Sequence, residues 1–504
     1  MTIQGALLTA LSSLAAEQRQ ASVIANNVAN ANTVGYVRRE LPRSEQLTAG
    51  QGTGVDTQTT QRLGDEALAA AARASGADAA YGQRMADMLA QFTTAVGQPS
   101  DGRSLSTALG NFRSAMTALS ASPDNAVAQN SAAEAAKSLV DAFHRMDAAV
   151  SNGRTAADLA VSQDVDAVNT TLGRLSQVDQ EMAKAEARGD SLAEYQDQRD
   201  LLLSDIAKRV PVSVYDGGPG HLVLTTDKGQ TLYDSGTVHA LSFTHSSAVA
   251  SEMRFGSSSL STVTVDGARL RSSSSGSIAA GLQLRDGTLP RYADMLDQIA
   301  GNLMQASQQA DASLIDTTVV PQTTPPTLKV DPASSHPMAG LFSSNNSAGL
   351  GAIYPTGGLA RTISINPKAD PDQAGGLASR IRDGMGSTTT GNAADNSGIL
   401  ALLGAMDTSR SYTAATGLSA SLSLSDAASQ SAGLMQSDRS NWADRAQTRQ
   451  ALDLQAQQNL TNKTSVNVDE ELQRLLLVQQ THSASVQVIQ TASHMLDDLI
   501  GLRS

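Results

Sequence analysis

The sequence predicts a mainly α protein with a β-rich insertion, built as nested, elongated domains. Heptad-patterned helices stand at both ends of the chain, long helical patterns lie inside them, and short alternating runs fill the middle. Composition points the same way. Of 504 residues, 40% are hydrophobic and only 3% aromatic, and the apolar share is largely Ala. That favours long helices packed closely over one thick aromatic core. At roughly 150 residues per domain, the length leaves room for about three domains.

The first element covers residues 3–28, where Ile3, Leu7, Ala10, Leu14, Glu17, Ala21, Ile24 and Val28 alternate in steps of four and three. This is a heptad seam on one helix face, and at 1.5 Å per residue it makes a rod of about 39 Å. Asn30 to Gly35 ends it, because Asn and Gly tolerate left-handed backbone. Tyr36 to Gln46 reads as extended, and Gly50, Gly52 and Gly54 mark a loop.

From Gly64 to Lys208 the pattern is helical, with breaks at Gly97-Gln98-Pro99, Ser122-Pro123 and Gly189-Asp190. Asp124 and Asp190 suit helix N-termini. The span from Asn125 to Arg188 reads as one helix of bundle or rod length. Strand-like runs follow at Val210–Tyr215, His221–Thr226 and Val238–Thr244, separated by Gly- and Asp-containing turns. Ser272–Ser275 reads as a flexible tip, Pro290 to Ala312 as a helix, and Thr317–Thr327 as a Pro/Thr-rich connection.

Helical pattern resumes near Asn396, and residues 412–460 read as one or two long polar helices. The last element repeats the opening one: Val468, Leu472, Leu475, Gln479, His482, Val486, Ile489, Ser493, Leu496 and Ile500 form a second heptad seam. The simplest topology pairs the two ends as a coiled coil. The expected domains are 1–60 with 465–504 as a terminal assembly domain, 61–208 with 400–464 as a long-helix bundle, and 209–399 as an outer β-rich insertion.

Charge and composition exclude several function classes. There is no Cys, which removes disulfides, thiolate metal sites and cysteine nucleophiles. With 49 acidic against 36 basic residues the formal charge is −13, so no basic stripe exists to neutralise nucleic acid. Met1 to Ala16 lacks a basic n-region and is too polar to span a bilayer, so neither membrane insertion nor a cleaved signal peptide is expected.

No nucleophile elbow, zinc-protease motif, phosphate-binding loop or Rossmann glycine pattern occurs, and the loop Gly50–Gly54 lacks the lysine and helix of a phosphate cradle. The seven His show no i, i+4 pair, and His239 and His245 on neighbouring strand-like runs read as ordinary exposed histidines. Asp469-Glu470-Glu471 reads as a helix start favoured by the macrodipole. No catalytic, cofactor or metal site is expected.

Both terminal seams are poor in large aliphatics: Ala10, Glu17 and Ala21 interrupt one, and Gln479, His482 and Ser493 the other. A buried large aliphatic contributes about 1.5–3 kcal/mol, so the pair is marginal by itself. Leu8, Leu11, Leu476, Val488, Met495 and Leu499 lie off the seams, where two helices alone leave them wet. Further subunits would cover them.

The stretch Val23–Glu40, VIANNVANANTVGYVRRE, resembles the N-terminal motif shared by axial proteins of the bacterial flagellum. Val466 to Leu502 narrows this to the family of flagellar hook-associated protein 1, the first hook–filament junction proteins. Asn467, Asp469, Glu470 and Glu471 match its N-x-D-E-E pattern, and Gln479-Gln480 and Met495-Leu496 match further on. Tyr195 to Leu202 resembles the block preceding the family's β-rich domain. Arg285-Asp286 and Leu296 to Ala300 are similar to its later helical block. Departures are Val34 for the usual Pro, Arg39 for Gln, Thr481-His482 for Ala-Tyr, and Ser307 to Ala310 for an Asn/His segment.

The resemblance implies a non-enzymatic junction adapter, exported through the flagellar type III apparatus to an extracellular position. It implies self-assembly into a ring, with hook protein and the second junction protein as partners and an export chaperone on the C-terminal helix. It also implies terminal regions that order only on assembly. Seams and motif together give a candidate assembly interface of Leu7, Leu14, Ile24, Val28, Asn30, Asn32, Gly35, Tyr36, Leu472, Leu475, Val486, Ile489, Leu496 and Ile500. Rival readings are a hook or distal-rod axial protein and a secreted adhesin carried on an axial scaffold.

Overall fold

The structure is a computed structural model that describes residues 3–48, 51–97, 102–256, 260–314, 340–345, 357–387 and 390–501. The connection Thr317–Thr327, Gln98-Pro99 and the side chains of Leu499 and Ile500 lie outside the described residues.

Helix α1 runs Ile3–Ala29. After it come β1 (Arg39–Glu40), β2 (Arg43–Thr48), β3 (Gln51–Thr57) and β4 (Gln61–Arg62), with β2 and β3 paired antiparallel and β1 paired to β4. The hairpin lies on α1, where the Val55 amide donates to Ser12 Oγ at 3.1 Å and Arg19 reaches Thr57 Oγ1 at 2.6 Å.

Helix α2 (Glu66–Val96) starts at Asp65, whose carboxylate accepts from the Leu68 amide, and α3 (Leu105–Ala121) starts at Ser104 in the same way. Helix α4 (Ala126–Arg188) is 63 residues long. Its N-cap is Asn125 and not the neighbouring Asp124: the Asn carboxamide accepts from the Val127 and Ala128 amides at 2.9 and 3.2 Å. Gly189 ends it in the left-handed conformation, at φ 76°. Helix α5 (Ala193–Arg209) returns beside it.

An antiparallel sheet follows, with β5 (Val212–Asp216), β6 (Leu222–Thr226), β7 (Thr231–Asp234) and β8 (Thr237–Val238) in sequential order. Strands β9 (Leu241–Ser242), β10 (Thr264–Val265) and β11 (Ala268–Arg269) form a smaller one. Ser272–Ser275 is no flexible tip. The Ser273 amide donates to Asp227, and buried Ser275 donates to Asp78 on α2 at 2.8 Å.

The helix expected at Pro290 begins earlier. Helix α6 (Gly276–Gln283) runs through a π turn at Leu284–Thr288 into α7 (Leu289–Ala312). Strands β12 (Phe342–Ser344) and β13 (Ile363–Ile365) pair, flanked by the one-turn helices α8 (Leu359–Thr362) and α9 (Arg380–Asp383). Then come α10 (Ser397–Asp407), a single long α11 (Leu424–Thr464) and α12 (Val468–Gly501).

Two apolar cores are strung along α4. The larger surrounds its first half, with Met85 and Leu89 of α2, Phe112 of α3, Tyr292 and Leu296 of α7, Phe342, and Leu424 of α11. The smaller surrounds Val161 to Leu175, with Leu203 and Ile206 of α5, Leu222, Leu224 and Tyr233 of the sheet, and Ile278 of α6. Among the described residues, 209–399 combine small sheets with the helices α6 to α9. Leu289 to Ile299 carries the same 3.6-residue apolar period as the flanking helices and joins the first core.

A buried polar layer stands where the two cores meet. Arg285, in the π turn, pairs with Asp158 at 2.6 Å and with Asp286 at 2.7 Å. Arg154 donates to the backbone oxygens of Ala250, Met253 and Arg285. His245 contacts Asp158 at 3.0 Å, and His239 contacts Asp266 at 2.6 Å, so both histidines have carboxylate partners.

Candidate assembly interface

Helices α1 and α12 pair antiparallel, because Asn27 meets Glu471 at one end and Glu17 meets Ser485 further along. Little apolar surface holds them. Ala10, Ala16 and Ile24 of α1 and Val478 and Ala492 of α12 are the buried apolar residues among those described on these two helices, and none belongs to either core.

The pair is anchored by a polar hub. Asn27 is 1% exposed. Its Nδ2 donates to the Arg39 carbonyl at 2.9 Å and to Glu471 Oε2 at 3.1 Å. Its Oδ1 accepts from the Tyr36 hydroxyl at 2.8 Å and from the Arg39 amide at 3.1 Å. One carboxamide thus satisfies donors and acceptors on three residues, Tyr36, Arg39 and Glu471, from two segments. Glu471 also faces Arg38 Nε at 3.2 Å, and Glu470 pairs with Arg474 at 2.9 Å. The Arg39 guanidinium stacks over the Tyr36 ring at 4.6 Å. Burial raises the Tyr36 pKa, with nearby Arg39 opposing.

A second polar set joins this end to the helical body. Arg62 pairs with Asp197 at 2.7 Å and Asp200 at 2.5 Å, and Arg39 reaches Asp197 at 3.3 Å. Burial pushes the Asp197 carboxyl up from its ordinary value, while Arg62 and Arg39 oppose the shift. The Arg38 amide donates to the Thr464 carbonyl at the end of α11, at 2.9 Å. These contacts rim a cleft of about 550 Å³ lined by residues 31–37, the start of α2, α5 and the end of α11. Gly35 closes against α5 with φ 82°, and a Cβ there would stand 2.9 Å from the Leu201 side chain.

Of the fourteen residues expected at the interface, Ile24 is buried, and Leu7, Leu14, Val28, Asn30, Tyr36, Leu475, Val486, Ile489 and Leu496 are half-buried. Asn32 and Gly35 are exposed, and Ile500 lies outside the described side chains. Leu472 is exposed, whereas Glu471 beside it is buried. The buried face of α12 is rotated by one position from the expected seam along its length: Glu471, Val478 and Ala492 are buried in place of Leu472, Gln479 and Ser493, and at the first turn Glu471 faces Arg38 and Asn27. Periodicity alone missed Asn27, Arg38, Arg62, Asp197 and Glu471, since polar contacts between distant segments leave no repeat. The available signal was an Asn inside an otherwise heptad helix.

The outer faces carry a further pattern. On α1, Leu8, Leu11, Ala15, Gln18, Ser22, Ala25 and Ala29 step by three and four and are all exposed, Leu8 by 63%. On α12, Leu477, Thr481, Ala484, Val488, Thr491 and Met495 do the same, Leu477 by 61%. From Leu475 to Leu496 there is no Asp, Glu, Lys or Arg. Each terminal helix thus bears a second heptad stripe, uncharged and wet in the single chain. The exposed large apolar side chains on these stripes, Leu8, Leu11, Leu477, Val488 and Met495, suit an interaction surface.

Among the described residues no helix is long and apolar enough to cross a membrane, and no group of three metal-ligating side chains occurs.

The family model "Flagellar hook-associated protein FlgK helical domain" matches residues 89–318, and the model "Flagella basal body rod protein" matches residues 7–36. Flagellar hook-associated protein 1 of Bacillus subtilis (strain 168) is 28% identical over 235 residues, 44% of this chain and 46% of that protein. The protein of the same name from Escherichia coli (strain K12) is 26% identical over 255 residues, 47% of this chain and 45% of that one. The chain therefore spans a little under half the length of these curated relatives in the matched region. A solved flagellar hook junction protein FlgK from Burkholderia pseudomallei aligns with a TM-score of 0.42 at 20% identity, covering 49% of this chain and 44% of that one. The chain is thus similar to flagellar hook-associated protein 1 over its middle helical part, and to flagellar rod proteins over its first helix.

Proposed function

We propose that the chain is a structural subunit of the bacterial flagellum, an adapter that joins hook to filament by assembling through its terminal helices. The observation that carries this reading is the second heptad stripe on α1 and on α12, uncharged and exposed in the single chain. Helices patterned on two faces bury both only when neighbours supply the second partner. The curated relatives bear the name of hook-associated proteins, which fits that reading.

In this proposal the domains nest. Residues 1–60 with 465–504 form the assembly unit, 61–208 with 400–464 the bundle, and 209–399 the insertion. The interface centres on the fourteen residues named above, extended by the outer stripes. Partners are further copies in a ring, hook protein on one side, the second junction protein on the other, and an export chaperone on α12 before secretion. The work is mechanical and not catalytic, and its place is extracellular.

A second reading, a hook or distal-rod protein, is favoured by the rod-protein match at residues 7–36. A deletion strain separates the two. Cells that keep the hook but release filament subunits into the medium support the junction role, and cells that lack the hook support the other.

A further inference from the structure

We infer that residues 241–253 form a strap that locks the sheet-bearing half of the chain to the first core, seated on α4 by polar side chains eleven residues apart. Between β9 and β10 the described residues form neither helix nor strand. Several of their polar groups turn to α4 instead. The Asn169 carboxamide exchanges two hydrogen bonds of 2.8 Å with the amide and carbonyl of Leu241, as a neighbouring strand would. Asp158 Oδ2 accepts from the Ser246 amide at 2.7 Å, and Asp147 accepts from the Ser251 hydroxyl.

The spacing explains the fit. Eleven residues separate Asn169 from Asp158 and Asp158 from Asp147, and five separate Leu241 from Ser246 and Ser246 from Ser251. Eleven residues make almost three helical turns, so the three side chains share one face, each about 17 Å from the next along the axis. Five extended residues also advance about 17 Å. Helix and strap therefore stay in step over both intervals, running antiparallel. Thr155 adds a contact in the second interval, where its Oγ1 accepts from the Val249 amide at 3.0 Å.

Arg154 ties the strap to the other segments that pass from one core to the other. It is buried. Its Nη1 donates to the Ala250 and Ser251 carbonyls at 2.6 and 3.2 Å, and its Nη2 to that of Met253 at 2.8 Å. Its Nε donates to the Arg285 carbonyl in the π turn at 2.8 Å. Arg285 in turn donates to Asp158 at 2.6 Å and to the Ser261 carbonyl at 2.8 Å. The two apolar clusters do not merge at this level, so these hydrogen bonds supply the coupling there. A buried guanidinium is tolerated only when its donors are used, and the strap carbonyls are orphaned without it. Each holds the other in place. This argument depends on the geometry of helix and strap and is independent of the flagellar reading.

Native-state hydrogen exchange on the full-length chain in rising urea tests the coupling. In the parent, amides of β6 in the second core and of α3 in the first should lose protection together. In Arg154→Met the Ser246, Val249 and Met253 amides should exchange at least about a hundredfold faster, and β6 should open at lower urea than α3. Thr155→Val keeps the side-chain shape and removes one acceptor, so it carries the test if Arg154→Met does not fold. There the Val249 amide should exchange about tenfold faster, with β6 again opening ahead of α3. Leu159→Ser, on the exposed side of α4 at this level, should leave both unchanged. If β6 and α3 still open together while the strap exchanges fast, the strap is a passive cover and the inference fails. Undiminished protection of the strap in both variants overturns it as well.

Discussion

Asn27 and Glu471 stand 444 positions apart in the chain, and their side chains share a buried hydrogen bond of 3.1 Å. That contact ties the first helix to the last, with the Arg38-Arg39 segment folded between them. Replacing Asn27 by Leu strands the Arg39 amide, the Tyr36 hydroxyl and one Glu471 oxygen together. The expected cost to the terminal pair is about 1–3 kcal/mol. Amide exchange in α1 should rise at least about tenfold, while the unfolding midpoint followed by Trp442 fluorescence stays unchanged, because that side chain packs in the helical body.

The ends should open more readily than the body even in the parent chain. Among their described residues, helices α1 and α12 contribute nothing to either apolar core, whereas α4 contributes to both. Hydrogen exchange on the isolated chain should show α1 and α12 exchanging at least about a hundredfold faster than the interior of α4. Equal protection of both would contradict the packing argument.

Gly35 is the position where a methyl group should matter most at the cleft. Its φ of 82° disfavours any Cβ, and the added carbon meets Leu201 at 2.9 Å. Gly35→Ala should destabilise the docking of the terminal unit by about 1–2 kcal/mol, mostly from backbone strain, because the tip of the exposed Leu201 side chain can move aside. Adding Leu201→Ala should recover only the steric part. Exchange rates in β1 and at the start of α1 measure both steps.

Asp311 makes stability depend on pH. Burial raises its carboxyl to about 6, while the Met385 and Gly340 amides hold it down. Its Oδ2 is buried without a hydrogen-bond partner. A folded-state value above the unfolded one means the folded protein binds the proton more tightly. This group therefore favours folding at acid pH and opposes it as pH rises through about 6. Asp311→Asn should raise the thermal midpoint at pH 8, by about 1–2 kcal/mol in free energy, and lose that advantage near pH 4. A variant less stable than the parent at pH 8 would sink the assignment.

The outer stripe of α12 should be silent in the single chain and decisive in assembly. Leu477, Val488 and Met495 are exposed, so replacing each by Ser should change monomer stability by under about 0.5 kcal/mol. The triple variant should nevertheless abolish swimming and leave filament subunits in the medium. Retained motility would remove this face from the interface.

Much of this fold is legible from spacing. Both terminal helices, the 63-residue α4 and the strands after Val210 follow from periods of 3.5, 3.6 and 2 in the sequence. What spacing missed depends on polar contacts between remote segments. Glu471 turns inward because Arg38 and Asn27 wait for it, and no local pattern announces that. Ser275 is held by Asp78, almost two hundred residues away, so a run of serines that reads as a loose tip is fixed. The outer stripes were half visible as misplaced leucines. Their Ala, Ser and Thr members emerged only once the inner faces of the helices were known.

Helix α4 has one more consequence. Its 63 residues make a strut of about 95 Å, and both cores are built on that single element. A load applied at one end reaches the other along continuous main-chain hydrogen bonds, with no loop between to absorb it. One unbroken helix packed into both cores would pass on a force that two separately folded halves would lose at their joint.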